Sequence, residues 1–345
     1  MQEALGFAVI GCGEVSQLHR EQIRQLADAR LVAVSDISAE KAKAVGKREQ
    51  VDWYADYHEM VQRDDIDVVN ILTPSATHAD AMVAAARAGK HVIVEKPIDV
   101  TVTRAEQAIA ACREAGVKLC VISQHRFDRS TMRVKQEVDR GHFGQLFLAQ
   151  ASVHWFRGPS YFDTVPGRGT WAMDGGGVLM IQALHTIDIM QDLLGPVESV
   201  FARTAIATHP HIEVEDVAVA TLAFESGALG TITATTGAFP GLSTRLEIFG
   251  EDGSAMIEDD RLRKLYLRPH RDPGEMFGAS ADNVAPDEDA VDFGNAHRRQ
   301  LADMLDAIRH DREPKVNGEE SLKVLKLILA LYESAQTGKS VTLDH

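Results

Sequence analysis

Three short stretches of the chain place reactive side chains beside flexible backbone. Glu95-Lys96-Pro97 follows an apolar run at 91–94. An amine sheltered from water and set near a positively charged ring is pushed toward its neutral form. It can then take, or share, the proton of a substrate hydroxyl. A solvated loop lysine is the competing reading of Lys96. The second stretch runs from Arg168-Gly169-Thr170-Trp171 to Asp174-Gly175-Gly176-Gly177, where glycines let backbone approach a ligand. It leads into an apolar segment carrying Gln182, His185 and Asp188, whose spacings of three put them on one face of a helix. One inward histidine on an apolar helix serves structure as readily as catalysis. The third stretch is Gly11-Cys12-Gly13-Glu14-Val15-Ser16.

In that third stretch the first glycine permits a tight turn. The second lets backbone reach a pyrophosphate seated at a helix N-terminus. Ser16 takes the third position and is small enough for helix and strand to pack closely. An apolar run at 6–10 precedes the turn, and a helical pattern with Val15, Leu18, Ile23 and Leu26 apolar follows it. A second apolar run, 31–35, ends at Asp36. A carboxylate there suits the adenosine ribose hydroxyls and repels a 2′-phosphate, and no Arg or Lys follows before Lys41, so NAD is favoured over NADP. Asp36 could instead cap the next helix, although Ser38 caps it equally well. Thr73-Pro74-Ser75-Ala76-Thr77-His78 closes a run at 68–72. Ligands of open parallel sheets lie at the carboxyl ends of the strands, which puts this segment along the cofactor. His78 is then either a cofactor contact or a plain helix-start residue.

These sites need a scaffold. Continuous apolar runs at 6–10, 31–35, 68–72, 91–94 and 117–122 alternate with amphipathic stretches, among them 38–48, 78–88 and 102–115. That alternation predicts a doubly wound parallel sheet covered on both faces. After a helix near 130–140 the pattern changes. Alternating runs at 145–156, 197–208, 216–224, 228–236, 244–250, 254–258 and 262–268 are joined by turns such as Glu225-Ser226-Gly227 and Glu251-Asp252-Gly253. They predict a large, open, mostly antiparallel sheet. Helices at about 296–310 and 319–337 close the chain. The acidic stretch 269–293, rich in Pro, Gly and Asp, reads as a surface loop. The expected fold class is α/β, with domains at 1–123 and 124–345.

Composition narrows the partners. A chain of 345 residues, 45% hydrophobic and 25% charged, can bury the cores of two domains. A formal net charge of −15 argues against nucleic acid and anionic membranes. It also requires backbone N–H groups, rather than bulk positive charge, to hold an anionic dinucleotide. Cys12, Cys112 and Cys120 show no metal-ligand spacing, so no metal is expected, and their low, odd number points to a reducing cytoplasm. The N-terminus shows no basic leader, and no apolar run nears the ~20 residues that span a bilayer. The second half has too few helices to cover both faces of its sheet. A homodimer or homotetramer through that face is therefore expected.

The Gly-x-Gly turn, Glu95-Lys96-Pro97 and the glycine-rich segment leading to His185 occur in an order and spacing that resemble the Gfo/Idh/MocA oxidoreductase family, along nearly the whole chain. The resemblance implies a Rossmann domain, a second α/β domain with a large open sheet, and NAD(P)-linked oxidation or reduction of sugars, cyclitols and related alcohols. Lys96 and His185 match the family's catalytic Lys and His. The candidate cofactor contacts are Gly11, Cys12, Gly13, Glu14, Val15, Asp36, Thr73, Pro74, His78, Glu95, Lys96, Arg168 and Trp171. The candidate substrate contacts are Lys96, Gln124, Arg126, Ile181, Gln182 and His185. Ile181 departs from the family pattern, which often has Asp or Asn four residues before the His. An aliphatic side chain can neither relay a proton nor accept a sugar hydroxyl. The stretch from Arg168 onward looks more similar to sugar and nucleotide-sugar dehydrogenases that oxidise a ring hydroxyl. The other readings are a non-catalytic NAD-binding sensor and a family enzyme that recycles a tightly bound NAD.

Overall fold

The computed structural model describes residues 4–268, 282–283 and 294–343. The chain forms two compact units. The first comprises Met1–Gln124, Ala172–Gly175 and Phe293–Leu325; the second comprises His125–Trp171, Gly176–Asp292 and Lys326–His345.

The first unit carries six parallel strands: β1 (Leu5–Ile10), β2 (Ala29–Ser35), β3 (Asp52–Tyr54), β4 (Val68–Ile71), β5 (His91–Val94) and β6 (Leu119–Val121). Their order is β3-β2-β1-β4-β5-β6. Every residue of β4 and β6 is buried, so both strands read as mostly apolar runs, with Asn70 the one polar residue of β4. The connecting helices are α1 (Glu14–Arg24), α2 (Ala39–Glu49), α3 (Tyr57–Met60), α4 (His78–Arg87) and α5 (Val102–Glu114). The sequence pattern missed β3 and α3, which are too short for either periodicity to register. It also misjudged the inner face of α1. Ser16, His19, Arg20 and Ile23 are buried there, while Val15 is 41% exposed, because polar partners inside the fold receive the polar side chains. Strand order reverses between β1 and β4, the crevice where open sheets bind ligands.

The expected split into 1–123 and 124–345 differs from the units observed, since 172–175 and 293–325 join the first. The reason lies in α10 (Asn295–Arg309), whose Leu301, Met304 and Leu305 share a core with Phe7, Val9, Ile23, Val34 and Ile93. The returning chain also satisfies the edge strand. Gln300 accepts from Ser123 N at 3.0 Å and donates to Val121 O at 2.7 Å, and Val121 N donates to Val316 O at 3.0 Å. A bare strand edge would otherwise present unpaired backbone groups.

The second unit is built on a nine-stranded sheet. Its strands are β7 (Leu146–His154), β8 (Val197–Ala205), β9 (Val217–Phe224), β10 (Leu229–Thr235), β11 (Thr244–Gly250), β12 (Gly253–Glu258), β13 (Arg261–Leu267), β14 (Asp282–Asn283) and β15 (Val341–Thr342). Their order is β14-β13-β12-β11-β7-β10-β9-β8-β15, and only β7 and β10 run parallel. Apart from β14, the expected loop at 269–293 lies outside the described residues. Helix α6 (Arg129–Asp139) packs on β12 and β13. After the short helices α7 (Pro159–Phe162) and α8 (Trp171–Asp174), helix α9 (Leu184–Leu194) packs on β7 and β11. The chain's last helix is α11 (Gly318–Thr337). On the other sheet face Phe201, Val219 and Leu229 stand 38%, 53% and 59% exposed, and strand register puts them on one side. No helix is long and apolar enough to cross a membrane, among the described residues.

Candidate active site

The glycine turn leaves β1 at the point where the sheet order reverses. Gly11 has φ +98°, and a Cβ there would lie 2.6 Å from Leu72 O, so only glycine lets the two strand-end loops meet this closely. Gly13 caps α1 without any side-chain cap, and a Cβ on it would meet nothing within 4 Å. An uncapped helix N-terminus facing open space is a ready anion cradle, and the residues present fit a dinucleotide pyrophosphate. Ser16, fully buried, donates to Gly13 O at 2.6 Å and tightens the turn. Asp36 accepts from Cys12 N and Ser38 N, each at 2.8 Å, while Ser38 caps α2 through Lys41 N. Each carboxylate oxygen keeps further acceptor capacity for a ribose hydroxyl. Ile37, next in sequence, is 98% exposed. Burial and the neighbouring Asp36 push the Cys12 thiol up to about 11, so it packs and does not react.

The end of β5 is held by a polar network that sequence reasoning missed. Asn70 Nδ2 donates to His19 Nδ1 at 3.0 Å, which places the ring proton on Nε2, facing Glu95 Oε1 at 3.0 Å. Glu95 Oε2 accepts from Lys96 N at 3.1 Å. Burial alone would raise the Glu95 carboxyl. His19, with Lys96 and His297, outweighs it and holds the group at about 2. Glu95 is therefore a fixed carboxylate that sets the backbone of Lys96. The two ring nitrogens of His78 face Pro97 O and Thr73 O at 2.8 Å each, the residue is 1% exposed, and burial lowers its pKa. Kept neutral by burial, the ring has one N–H and donates to one of the two carbonyls, while its other nitrogen packs against the second. Thr73 and Pro74 stay at the strand end, braced by Thr77 Oγ1 at 2.9 and 2.7 Å.

In the second unit, Glu213 and Glu215 clamp the glycine-rich segment. Glu213 N donates to Gly169 O at 2.8 Å, and Trp171 donates through Nε1 to Glu213 O at 3.1 Å and through N to Glu213 Oε2 at 3.3 Å. Glu215 accepts from Gly177 N and Leu179 N at 2.9 Å and from the Tyr332 hydroxyl at 2.8 Å. A Cβ on Gly177 would sit 1.8 Å from Glu215 O, which explains that glycine. Burial pushes the Glu215 carboxyl up to about 7 against the pull of these hydrogen bonds.

The clamped turn leads into a π-helical turn, Leu179–Ala183, before α9. Gln182 and Ile181 lie in that turn, so the spacing of three does not put Gln182 on the α-helical face of His185 as expected. Such turns re-aim side chains and concentrate at functional sites. His185 opens α9 with its ring 4.8 Å from that of His125, edge to face. His125 Nδ1 contacts Asp128 at 2.7 Å and Asp260 at 3.0 Å; burial opposes its charge, but the two carboxylates raise it to about 10. Asp260 reaches it from a β12–β13 turn in which Asp259 and Asp260 both have positive φ. Arg126 is bound into α9, to Asp188 at 2.6 Å and Asp192 at 2.9 Å. It fastens the segment bearing His125 to the helix bearing His185. Among the described residues, Gln124 Oε1 is buried without a hydrogen-bond donor.

The geometry thus gathers Gly11, Cys12, Gly13, Asp36, Thr73, Glu95 and Lys96 at the strand ends of the first unit. Arg168, Trp171, Gln182 and His185 belong to the second. Acidic residues just ahead of a strand, as in Glu213-Val214-Glu215-Asp216, were the one sequence hint of the clamp.

The chain as a whole is similar to known proteins. Residues 5–123 match a model of an oxidoreductase family with an NAD-binding Rossmann fold, and residues 131–256 match a GFO/IDH/MocA C-terminal domain. An uncharacterised oxidoreductase, YrbE, of Bacillus subtilis is 28% identical, covering 100% of this chain and 98% of its own. The myo-inositol 2-dehydrogenase of Thermotoga maritima is 26% identical, covering 97% and 98%. The WlbA dehydrogenase from Bordetella pertussis, solved in complex with NADH and UDP-GlcNAcA, superposes with a TM-score of 0.88 at 30% identity, covering 99% of this chain and 100% of its own.

Proposed function

Because this chain belongs to the Gfo/Idh/MocA family of NAD-binding oxidoreductases, we propose that it oxidises a ring hydroxyl of a sugar-like alcohol, with Lys96 and His185 handling the hydroxyl proton. NAD supplies the hydride acceptor. The alcohol loses hydride from carbon and a proton from oxygen, leaving a ketone and NADH. Lys96 takes or shares that proton, and His185 holds the same hydroxyl. The observation that carries this reading is the Asn70–His19–Glu95 chain, which pins Lys96 N at the end of β5. A buried network of this kind rigidifies the backbone that carries Lys96.

On the cofactor side, Gly13 and the α1 N-terminus cradle the pyrophosphate and Asp36 takes the adenosine ribose. Ile37, held out in solvent, offers an apolar face to the adenine. The relatives' substrates support a polyhydroxy alcohol: myo-inositol for the Thermotoga enzyme, D-apiose for a Paraburkholderia one. Ile181 can make only apolar contact, so hydroxyl recognition falls to Gln182 and His185.

The exposed row of Phe201, Val219 and Leu229 supports pairing of two copies through the open sheet face. Light scattering at micromolar concentration should report a dimer or tetramer; a monomer contradicts the pairing. Cys112 and Cys120 are buried, with thiols pushed up to about 12 by burial, which suits a reducing cytoplasm. The experiment for the reaction is absorbance at 340 nm with NAD⁺ in excess over enzyme and a panel of sugars. Net NADH formation beyond one equivalent supports a dehydrogenase. No net formation with any sugar favours a sensor or a recycling enzyme.

A further inference from the structure

The second unit holds two arginines that its own carboxylates leave unused. Arg157, just past β7, packs its guanidinium against two rings, with Cζ 4.8 Å from the Trp155 ring centroid and 5.2 Å from that of Tyr161. Stacking engages the faces of a guanidinium; its five N–H donors point outward in the plane. One of them reaches Phe156 O at 3.3 Å, while Nε is buried with no acceptor. Arg168 packs on the same Tyr161 ring at 4.4 Å. Its Nη1 donates to Tyr161 O and to Thr164 Oγ1, both neutral acceptors. Among the described residues, neither arginine is paired with a carboxylate, in a chain where 51 acidic residues face 36 Lys and Arg. Arg126 in the same unit shows the contrast, being bound to two aspartates.

Two like charges against one ring, with a buried donor left over, are costly as they stand. An anion relieves both costs at once. The surroundings are also rigid: His209 contacts Arg157 O through Nε2 at 2.7 Å and is itself held by Asp216 at 2.9 Å. The place is next to the substrate segment, because Gln182 Nε2 donates to the Tyr161 hydroxyl at 3.3 Å. Gln182 lies in the π-helical turn that delivers His185.

We infer that Arg157, with Arg168 beside it, binds an anionic substituent of the substrate, so that the sugar carries a carboxylate or a phosphate. Either group matches the planar fork of arginine in two parallel hydrogen bonds. This rests on the dehydrogenase reading above and narrows its substrate class.

The test is calorimetric titration of the NADH-loaded protein with four probes: glucose, glucuronate, glucose 1-phosphate and UDP. At least one anionic probe should bind about tenfold or more tightly than glucose, in the range of one charge-assisted hydrogen-bond pair. Glucuronate against glucose 1-phosphate separates a carboxylate from a phosphate. Arg157→Met should remove that advantage and leave NADH and glucose binding unchanged. Arg157→Lys, which keeps the charge and loses the fork, should lose only part of it. Equal binding of all four probes, or wild-type anion binding by either variant, overturns the inference. If Arg157→Met does not fold, the Arg157→Lys titration decides alone. Anion binding without turnover on any sugar would sink the dehydrogenase reading and leave the anion site standing.

Discussion

Glu215 offers a prediction whose size can be worked out. Its carboxyl stands at about 7 instead of 4.5, because burial opposes the charge more than three hydrogen bonds favour it. Above pH 7 the group is ionised in folded and unfolded chain alike, and well below pH 4.5 it is protonated in both. Between those limits the folded chain keeps a proton that the unfolded chain releases. Its contribution to stability is therefore full at low pH and is lost as pH rises through 7. At about 1.36 kcal/mol per unit of displacement, the loss totals about 3 kcal/mol. Glu215→Gln removes this titration. The neutral amide stands in for the protonated carboxyl that folded wild type carries at pH 5, so the two proteins are closest in stability there. Toward pH 8 wild type loses stability that the variant keeps, so the variant should gain on wild type by about 3 kcal/mol. Urea midpoints for both proteins at pH 5, 6, 7 and 8, read by tryptophan fluorescence, measure the difference, in which other titrating groups cancel. A difference that stays constant, or that shifts in favour of wild type toward pH 8, would show that the ionised clamp is the form the fold prefers and would refute the account of this residue.

Two further substitutions probe the same sites. Asp36→Ala should narrow the preference for NADH over NADPH in a binding titration, because a 2′-phosphate no longer meets a carboxylate; an unchanged ratio contradicts the ribose contact. Gly177→Ala drives a methyl to 1.8 Å from Glu215 O and must displace the turn ahead of His185. Turnover should fall at least tenfold while NADH binding holds, and normal turnover would show that the turn adjusts freely.

The first unit was legible from sequence because its signals are local. Buried parallel strands read as apolar runs, glycines mark the turn after β1, and Asp36 ends the next strand. The open sheet of the second unit was legible for the same reason, through alternation and turn residues. What stayed hidden depends on pairs far apart in the chain. Nothing local to Arg126 says that Asp188 and Asp192 will meet it. His78 reads as a cofactor contact or a plain helix start, and nothing local says that Pro97 O and Thr73 O will enclose it. No local pattern says that Leu301 and Met304 return to the core of β1 and β2, or that Glu215 will hold Gly177. The π-helical turn before His185 shifted one side-chain spacing, and an apolar sequence carries no mark of that shift.

The most direct measurement of the central claim is turnover of Lys96→Met at saturating NAD⁺ and sugar, beside its NADH affinity. Losing a positioned proton-transfer group should lower kcat by about 100-fold or more. The cofactor cradle at Gly13 and Asp36 is untouched, so NADH should bind as in wild type. His185→Ala should fall in the same direction, less steeply if Lys96 still takes the proton. Near-normal turnover in Lys96→Met would contradict the assignment of the proton to Lys96 and, with it, the mechanism proposed for this chain.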